Sequence, residues 1–290
     1  MRPFGLVLLL ALALAACAGP APGQTPAPPA AEAPRAAPAS PVPSALPAGA
    51  RPLDEAYRGL FEACDRTDRF GGIQLPIRNA SGGIRWFGCS SDPSRVTHLL
   101  RWPDGTVAWE AKLAVDLDGS HFACTTPGLT DLCGTWLMLR DASGGPVPVD
   151  SDRVPYVVIP IAGPPSDPSR PGVDVGGEFR ERTGIRRGDL GVVLFGGQVV
   201  PVLVADGGPF NKIGEGSIAL HRRLGRELCA ARDAEGRCIR VVRPLSGIGS
   251  GVVTVVFPGS APAGLRPDTI EAVVEREAMA RWRAFSGGSR

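Results

Sequence analysis

Short apolar runs separated by turn residues cover most of the sequence after residue 50. Seven of these runs are rich in Val, Ile and Leu and are bounded by Gly, Pro or Asp, a pattern typical of buried strands. They span residues 97–102, 107–115, 135–140, 156–161, 190–195, 198–205 and 251–257. Between the fifth and sixth runs, Gly196-Gly197 is the signal of a two-residue hairpin. The pattern therefore predicts a mainly β protein.

Three other segments have apolar residues at helical spacing. They span residues 52–63, 217–224 and 267–285. So many short strands would expose many unpaired edges, and closure into a small barrel removes those edges. We therefore expect residues 51–290 to form one domain, a β-barrel with a few peripheral helices.

The first sixteen residues have the features of a cleavable leader. Arg2 precedes an apolar stretch that is shorter than the roughly 20 residues a membrane helix needs. The closing Leu14-Ala15-Ala16-Cys17 resembles the lipobox of bacterial lipoproteins. This resemblance implies acylation of Cys17 and, because Ala18 follows, a protein anchored by lipid in the outer membrane. An ordinary secretory signal cleaved nearby is the alternative, and it too exports the protein.

Residues 17–50 are predicted to be a linker on that lipid anchor. Of the 33 residues from 18 to 50, ten are Pro and twelve are Ala. Such a composition cannot build a packed core and favours an extended spacer. The linker would hold the folded domain away from the membrane surface.

Charge excludes one large class of partners. Lys and Arg number 31 against 29 Asp and Glu, and the net charge of +2 gives no basic field for nucleic acid or for lipid headgroups. We therefore expect no nucleic-acid partner, and membrane contact only through the lipid anchor. Lys112 and Lys212 are the only lysines in the sequence.

Export also determines how the six cysteines other than Cys17 are interpreted. An even number of cysteines in an oxidising compartment favours disulfides. Two pairs are each nine residues apart around turn-like sequence, which leaves one pair over. The predicted bonds are Cys64–Cys89, Cys124–Cys133 and Cys229–Cys238. The sequence has no Cys-x-x-Cys motif and its three His are scattered, so we predict no metal site and no cofactor.

The densest chemistry lies in residues 188–225. There an apolar hairpin is predicted to end at Asp206, Gly207-Gly208-Pro209 to turn the chain sharply, and Glu215 to precede a helix. Asp206 leaves an apolar strand and is expected to hold a proton. The dipole of the following helix is expected to favour the ionised form of Glu215. Carboxyls in such different environments can serve as an acid and a base.

These residues carry a resemblance to a known family. The 188–225 run, the upstream Val154-Pro-Tyr-Val-Val-Ile-Pro160 and the earlier Ala114-Val-Asp-Leu-Asp-Gly119 together resemble the chitosanases of glycoside hydrolase family 75. The resemblance implies endo-hydrolysis of a β-1,4-linked amino sugar polymer with inversion of configuration. It also implies that Asp206 and Glu215 are the catalytic acids.

A second resemblance overlaps the first. Asp206-Gly-Gly-Pro-Phe210 is similar to a block of rare lipoprotein A and of expansin-like proteins, in which an Arg stands where this chain has Gly207. Both resemblances imply a six-stranded, double-psi-like β-barrel.

Function is predicted from these features together. We expect a monomeric glycoside hydrolase of the bacterial cell envelope with a polysaccharide substrate. Asp116, Asp118 and Lys212 are predicted to bind this substrate, although a turn closed by Asp-Leu-Asp-Gly is an equally good interpretation of the two Asp. Two alternatives stay open, a peptidoglycan-processing enzyme similar to lytic transglycosylases and a glycan-binding lipoprotein without catalysis.

Overall fold

The computed structural model describes residues 46–78, 84–129, 131–163 and 174–287. The predicted leader, Cys17 and nearly all of the predicted linker lie outside these residues. Within the described part of the chain, no helix is both long and apolar enough to cross a membrane.

Strands outnumber helices in the described residues. The helices are α1 Glu55–Thr67, α2 His121–Thr125, α3 Glu178–Thr183, α4 Ile218–Arg223 and α5 Ile270–Gly287. The first seven strands are β1 Arg51–Pro52, β2 Leu75–Arg78, β3 Ile84–Phe87, β4 His98–Arg101, β5 Val107–Asp116, β6 Met138–Arg140 and β7 Pro146–Pro148. The others are β8 Tyr156–Ala162, β9 Leu190–Phe195, β10 Gln198–Pro209, β11 Glu215–Ser217, β12 Cys229–Arg232, β13 Cys238–Val241 and β14 Ile248–Phe257.

Six strands close into a barrel. Neighbours follow the order β5, β11, β8, β10, β9 and β14, and β14 pairs with β5 to complete the ring. Two of the pairs are parallel, β10 with β8 and β11 with β5, and the others are antiparallel. The prediction of a mainly β, six-stranded barrel with few helices is confirmed.

Strand β5 holds both ends of the ring together. Its residues 107–113 pair with β14, and its last three residues pair with β11. On the edge facing away from β14, β4 pairs with residues 107–110. This long strand therefore carries its C-terminal Asp116 to the place where β11 begins.

Alternation along the strands explains why the barrel is stable. In β14, Val252 and Val256 join a central apolar cluster, whereas Val253 and Val255 join a second cluster that includes Trp282 of α5. Successive side chains of a strand point to opposite faces of the sheet. Val252 and Val256 therefore pack in the central cluster, and Val253 and Val255 pack on the face that α5 covers. Helix α5 thus covers a face that would otherwise expose apolar side chains to water.

All three predicted disulfides are present. Cys64–Cys89 joins α1 to a short 3-10 turn, and Cys229–Cys238 closes the β12–β13 hairpin. Cys124–Cys133 closes the segment between α2 and β6. Each bond lowers the conformational entropy of the unfolded chain and thereby stabilises a region with few strands.

Two of the differences between predicted and observed element boundaries have a clear physical meaning. Helix α1 begins at Glu55, because the carboxylate of Asp54 accepts the N–H of Tyr57 and caps it. Strand β10 was expected to end at residue 205, but it continues to Pro209. The predicted sharp turn at residues 207–209 is therefore wrong, and its consequence for Asp206 is described below.

Asp152 joins α4, β12 and β13 through hydrogen bonds. Its carboxylate, 4% exposed, accepts hydrogen bonds from Arg222 of α4, from Arg232 of β12 and from the backbone N–H of Cys238. Removing it leaves the buried N–H of Cys238 without that acceptor and breaks both ion pairs.

We expect Asp152→Ala to lower the free energy of unfolding by roughly 2 kcal/mol, since both arginines keep some access to water. Urea denaturation followed by circular dichroism measures this change. Asp268→Ala, at a side chain that is 75% exposed, is the matched control and should change stability by less than about 0.5 kcal/mol. Equal stability of the two variants would contradict the role given to Asp152.

Candidate active site

Asp206 lies in the C-terminal half of β10 and is 6% exposed. Its Oδ1 accepts the N–H of Trp136 and the N–H of Gly207, both at 2.8 Å. Burial raises the pKa of its carboxyl, and the two backbone hydrogen bonds oppose that rise. The expectation that Asp206 is desolvated therefore holds, although the strand does not end there.

At Gly207 the side chain of Ile161 on strand β8 occupies the position that a Cβ would take. A Cβ built at Gly207 would lie 2.1 Å from Cδ1 of Ile161. Any larger residue at this position would require the side chain of Ile161 to move. A glycine therefore lets β10 run alongside β8 at this point.

Glu215 is the first residue of β11, beside Ala114 of β5 in the parallel register. Its side chain is half-buried. Burial raises the pKa of Glu215 to about 7, although the charges of Lys212 and Lys112 oppose the rise. The sequence predicts that the dipole of the following helix favours the ionised form of Glu215. Helix α4 begins at Ile218, and desolvation outweighs the favourable charges, so the pKa of Glu215 is raised.

Asp116 and Asp118 lie at the end of β5 and in the turn that follows it. Oδ1 of Asp116 accepts the N–H of Asp118 at 2.8 Å, and Oδ1 of Asp118 accepts the N–H of Leu132 at 2.6 Å. The turn interpretation of the Asp-Leu-Asp-Gly segment is confirmed, and substrate binding by its two Asp stays a prediction. The segment does form a turn, and its two carboxyls also reach the site.

Three carboxyls meet at this point. Asp116, Asp118 and Asp206 each have a carboxylate oxygen within 4.8 Å of the others. Burial raises the pKa of Asp118 to about 8 and that of Asp116 well above its usual range, and the neighbouring carboxylates add to both shifts. Like charges this close disfavour joint ionisation, so the cluster holds protons at neutral pH.

Carboxylate oxygens also have the chemistry to hold a hard divalent cation. In the described part of the chain, Asp116, Asp118 and Asp206 form a group that could hold such a cation. Every hydrogen bond given above for them comes from a backbone N–H, and shared protons account for their proximity. The predicted absence of a metal stays a prediction.

The two lysines of the sequence come together beside Glu215. Nζ of Lys112 lies 2.5 Å from Oδ1 of Asp92, and Lys212 forms an ion pair with the other oxygen of the same carboxylate. Lys112 comes from β5 and Lys212 from the loop before β11. Their positive charges favour the ionised form of Glu215.

All five predicted site residues line one cleft, with a volume of about 310 Å³. This volume is near the lower limit of small-molecule sites. The lining residues are Asp116, Asp118, Asp131, Val158, Asp206, Gly207, Gly208, Pro209, Lys212 and Glu215. Pairing of β10 with β8 and of β11 with β5 and β8 brings these residues together from distant parts of the sequence.

Asp131 is a site residue that the sequence analysis missed. It lies in the segment closed by Cys124–Cys133, and its Oδ1 accepts the N–H of Leu117 at 3.2 Å. The only signal in the sequence was an acidic residue two positions before a disulfide cysteine. That signal predicts a position on the surface as readily as one in a cleft.

Comparison of the chain with protein-family models found no match, and a search of curated proteins found none either. The function must therefore be argued from the chemistry of this cleft.

Proposed function

We propose that the protein is an inverting endo-glycoside hydrolase that cleaves a β-1,4-linked amino sugar polymer similar to chitosan. The observation that carries the proposal is the cleft in which Asp206 and Glu215 both lie. One carboxyl belongs to a cluster that shares protons, and the other feels the positive charges of Lys112 and Lys212. Such a division of environments is what a general acid and a general base need.

The proposed acid is Asp206 together with Asp118. Burial, and then the charge of Asp206 and the hydrogen bond shared with it, raise the pKa of Asp118, so a proton is available there up to about pH 8. The proton would pass from this pair to the glycosidic oxygen as the bond to the anomeric carbon breaks. Glu215 would take a proton from the water that attacks the opposite face of the sugar.

Acidic side chains also suit the proposed substrate. Four Asp and Glu215 line the cleft against a single lysine. An amino sugar without its acetyl group carries an ammonium at neutral pH, and carboxylates attract such a cation. Chitosan-like polymers therefore fit this cleft better than neutral glucans.

A lytic transglycosylase is the second candidate that the sequence left open. Such an enzyme closes a 1,6-anhydro ring within the sugar itself, so the proton that a base takes comes from the O6 hydroxyl and not from water. One residue that acts first as acid and then as base suffices for that step, whereas hydrolysis with inversion needs an acid and a separate base. The pairing of Glu215 with the Asp cluster in one cleft therefore supports hydrolysis. We also propose that the enzyme works in the bacterial cell envelope, tethered through Cys17.

The products test the proposal directly. With soluble chitosan tetramers, we expect new reducing ends, and proton NMR recorded during early turnover should show the α-anomer first. A β-linkage cleaved with inversion gives this anomer. Release of the β-anomer would reject inversion, and 1,6-anhydro products would identify a transglycosylase. Binding of the tetramer without any product would leave only glycan binding.

The plot of kcat/KM against pH should be bell-shaped. A base must be ionised, so kcat/KM should rise as Glu215 loses its proton near pH 7. An acid must hold its proton, so kcat/KM should fall above about pH 8, where the Asp118 pair ionises. Measuring initial rates on chitosan tetramers from pH 5 to 9.5 checks both limbs.

Lys212→Gln tests the origin of the lower limb. Loss of a positive charge beside Glu215 should raise its pKa and move that limb to higher pH. Arg283→Gln on the exposed side of α5 removes the same charge elsewhere and should leave the profile in place. A lower limb that does not move would exclude Glu215 as the group that titrates there.

A further inference from the structure

A pocket of about 520 Å³ lies beside β1, far from the candidate active site. Its lining comes from β1, β4, α3 and the residues adjoining them, and includes Arg51, Leu53, Asp54, Arg101, Pro103 and Arg182. Arg101 pairs with Val107, the first residue of β5, whereas Asp116 of the candidate active site is the last. A strand rises about 3.3 Å per residue, so the ten residues of β5 put roughly 30 Å between the two sites.

Two arginines oppose each other across neighbouring strands at this pocket. Arg51 of β1 is the register partner of Arg101 of β4 in an antiparallel pair. Side chains directly opposite in such a pair share one face, with Cβ atoms about 5 Å apart, and like charges there are destabilising. Among the residues that the structure describes, neither arginine has an ion-pair partner. An anion bound between the two guanidiniums would remove this repulsion.

The carboxylates near the pocket are engaged by a third arginine. Arg182 forms an ion pair with Asp54, which lines the pocket, and another with Glu178, which does not. Even with Glu178 included, three arginines stand against two carboxylates, and the excess positive charge belongs to Arg51 and Arg101. Because the net charge of the whole chain is only +2, this excess is a local feature and not part of a basic surface.

The pocket is fixed in place by hydrogen bonds to backbone carbonyls. Nη2 of Arg101 donates to the carbonyl of Arg182 at 2.7 Å, the only hydrogen bond that this side chain makes within the described residues. Its Nη1 therefore keeps its N–H donors for a ligand. Nε1 of Trp102 donates to the carbonyl of Pro47 at 3.1 Å and holds the segment that leads into β1. A site that is ordered before binding loses less freedom on binding.

We propose that this pocket binds a phosphate monoester between Arg51 and Arg101. Such a group carries a charge of about −1.5 to −2 at pH 7, which matches two guanidiniums, and its oxygens accept paired N–H donors. A carboxylate, with a single charge, would match only one of them. Leu53 and Pro103 also line the pocket and would contact the group that carries the phosphate. The site is independent of the proposed hydrolase activity.

The same phosphate chemistry occurs in lipid headgroups and in soluble esters. Arg51 directly follows the predicted linker, which makes a membrane lipid one source. Calorimetric titration of the full chain with inorganic phosphate, sn-glycerol 3-phosphate and monomeric dibutanoyl phosphatidic acid separates the two sources. We expect both esters to bind. Binding of the phosphatidic acid about tenfold more tightly than that of glycerol phosphate would identify a lipid headgroup, and equal affinities would identify a soluble ester.

Substitution of the two arginines locates the contact. Arg51→Gln should weaken binding of glycerol phosphate about fivefold, the effect of one exposed charge pair. Arg101→Gln should weaken it at least tenfold, since its side chain is half-buried. Arg283→Gln, on the exposed side of α5, is the matched control and should preserve the affinity. Absence of binding by all three probes, or equal affinities of Arg51→Gln and Arg283→Gln, would overturn the inference.

Arg51→Gln keeps the test independent of folding. Arg51 is exposed and its side chain makes no hydrogen bond within the described residues, so its loss should not disturb the barrel. Turnover of chitosan tetramers and thermal stability should therefore equal those of the wild type. A parallel fall in stability and in phosphate affinity would assign the effect to the fold and would also overturn the inference.

Discussion

Asp206→Asn is expected to lower kcat on chitosan tetramers by about 100-fold or more. The substitution keeps the shape of the side chain, and the amide oxygen can still accept the N–H groups of Trp136 and Gly207. It removes the carboxylate that accepts the proton of Asp118, so the pair could no longer pass a proton through Asp206 to the leaving oxygen. Reducing-end release at pH 7.5, with kcat and KM measured separately, gives the size of the loss.

Asp141→Asn is the matched control for this variant. Asp141 also accepts backbone N–H groups, from Ser143 and Gly145, but it does so in the turn between β6 and β7. The Asp141→Asn variant should retain normal kcat, since its amide oxygen can accept the same two backbone N–H groups and keep the turn. Equal thermal stability of Asp206→Asn and the wild type would show that the loss is chemical. Near-normal kcat in a folded Asp206→Asn protein would remove this residue from the mechanism.

Five of the six barrel strands could be predicted because their information is local, whereas β11 was missed and the number of six strands is what the family resemblances imply. Six of the seven apolar runs became barrel strands or the adjoining β4, and only the run at 135–140 shrank to the short strand β6. Val, Ile and Leu between Gly, Pro and Asp indicate where a strand lies with little help from distant residues, although not where each strand ends. The disulfides could be predicted for a similar reason, since the cysteines of two of the three pairs are nine residues apart.

The electrostatics of Glu215 could not be predicted in this way. Lys212 is close to Glu215 in sequence, but its partner Asp92 is 120 residues away from it. Lys112 reaches the site only because β5 pairs with β11. A helix dipole was the visible local influence on Glu215, and burial with two lysines replaced it.

A similar limit applies to the run Asp206 to Pro209. Two glycines followed by proline are typical of a turn, and sequence reasoning treats them so. Here the reason for glycine is Ile161 on the neighbouring strand, a contact that no local pattern reveals. The carboxyl of Asp206 therefore points from a continuous strand, and its backbone donors, Trp136 and Gly207, hold it there.

Glu215→Gln is expected to lower kcat by about 100-fold or more, and azide is expected to restore much of it. The variant keeps the acid of the Asp cluster but cannot take a proton from water. Azide is small, anionic and needs no base, so it can attack the anomeric carbon from the face that water uses. The product should be an α-glycosyl azide, because the attack inverts a β-linkage.

Azide separates the two roles. It should not rescue Asp206→Asn, since an added nucleophile cannot supply the missing proton to the leaving oxygen. An inverting enzyme keeps its two carboxyls about 6.5 to 9.5 Å apart, which leaves room for the water or azide between the sugar and the base. Rescue of Asp206→Asn and not of Glu215→Gln would exchange the two roles. A β-glycosyl azide would require a covalent intermediate, because only two successive inversions return a β-linkage, and the inverting mechanism would then be rejected.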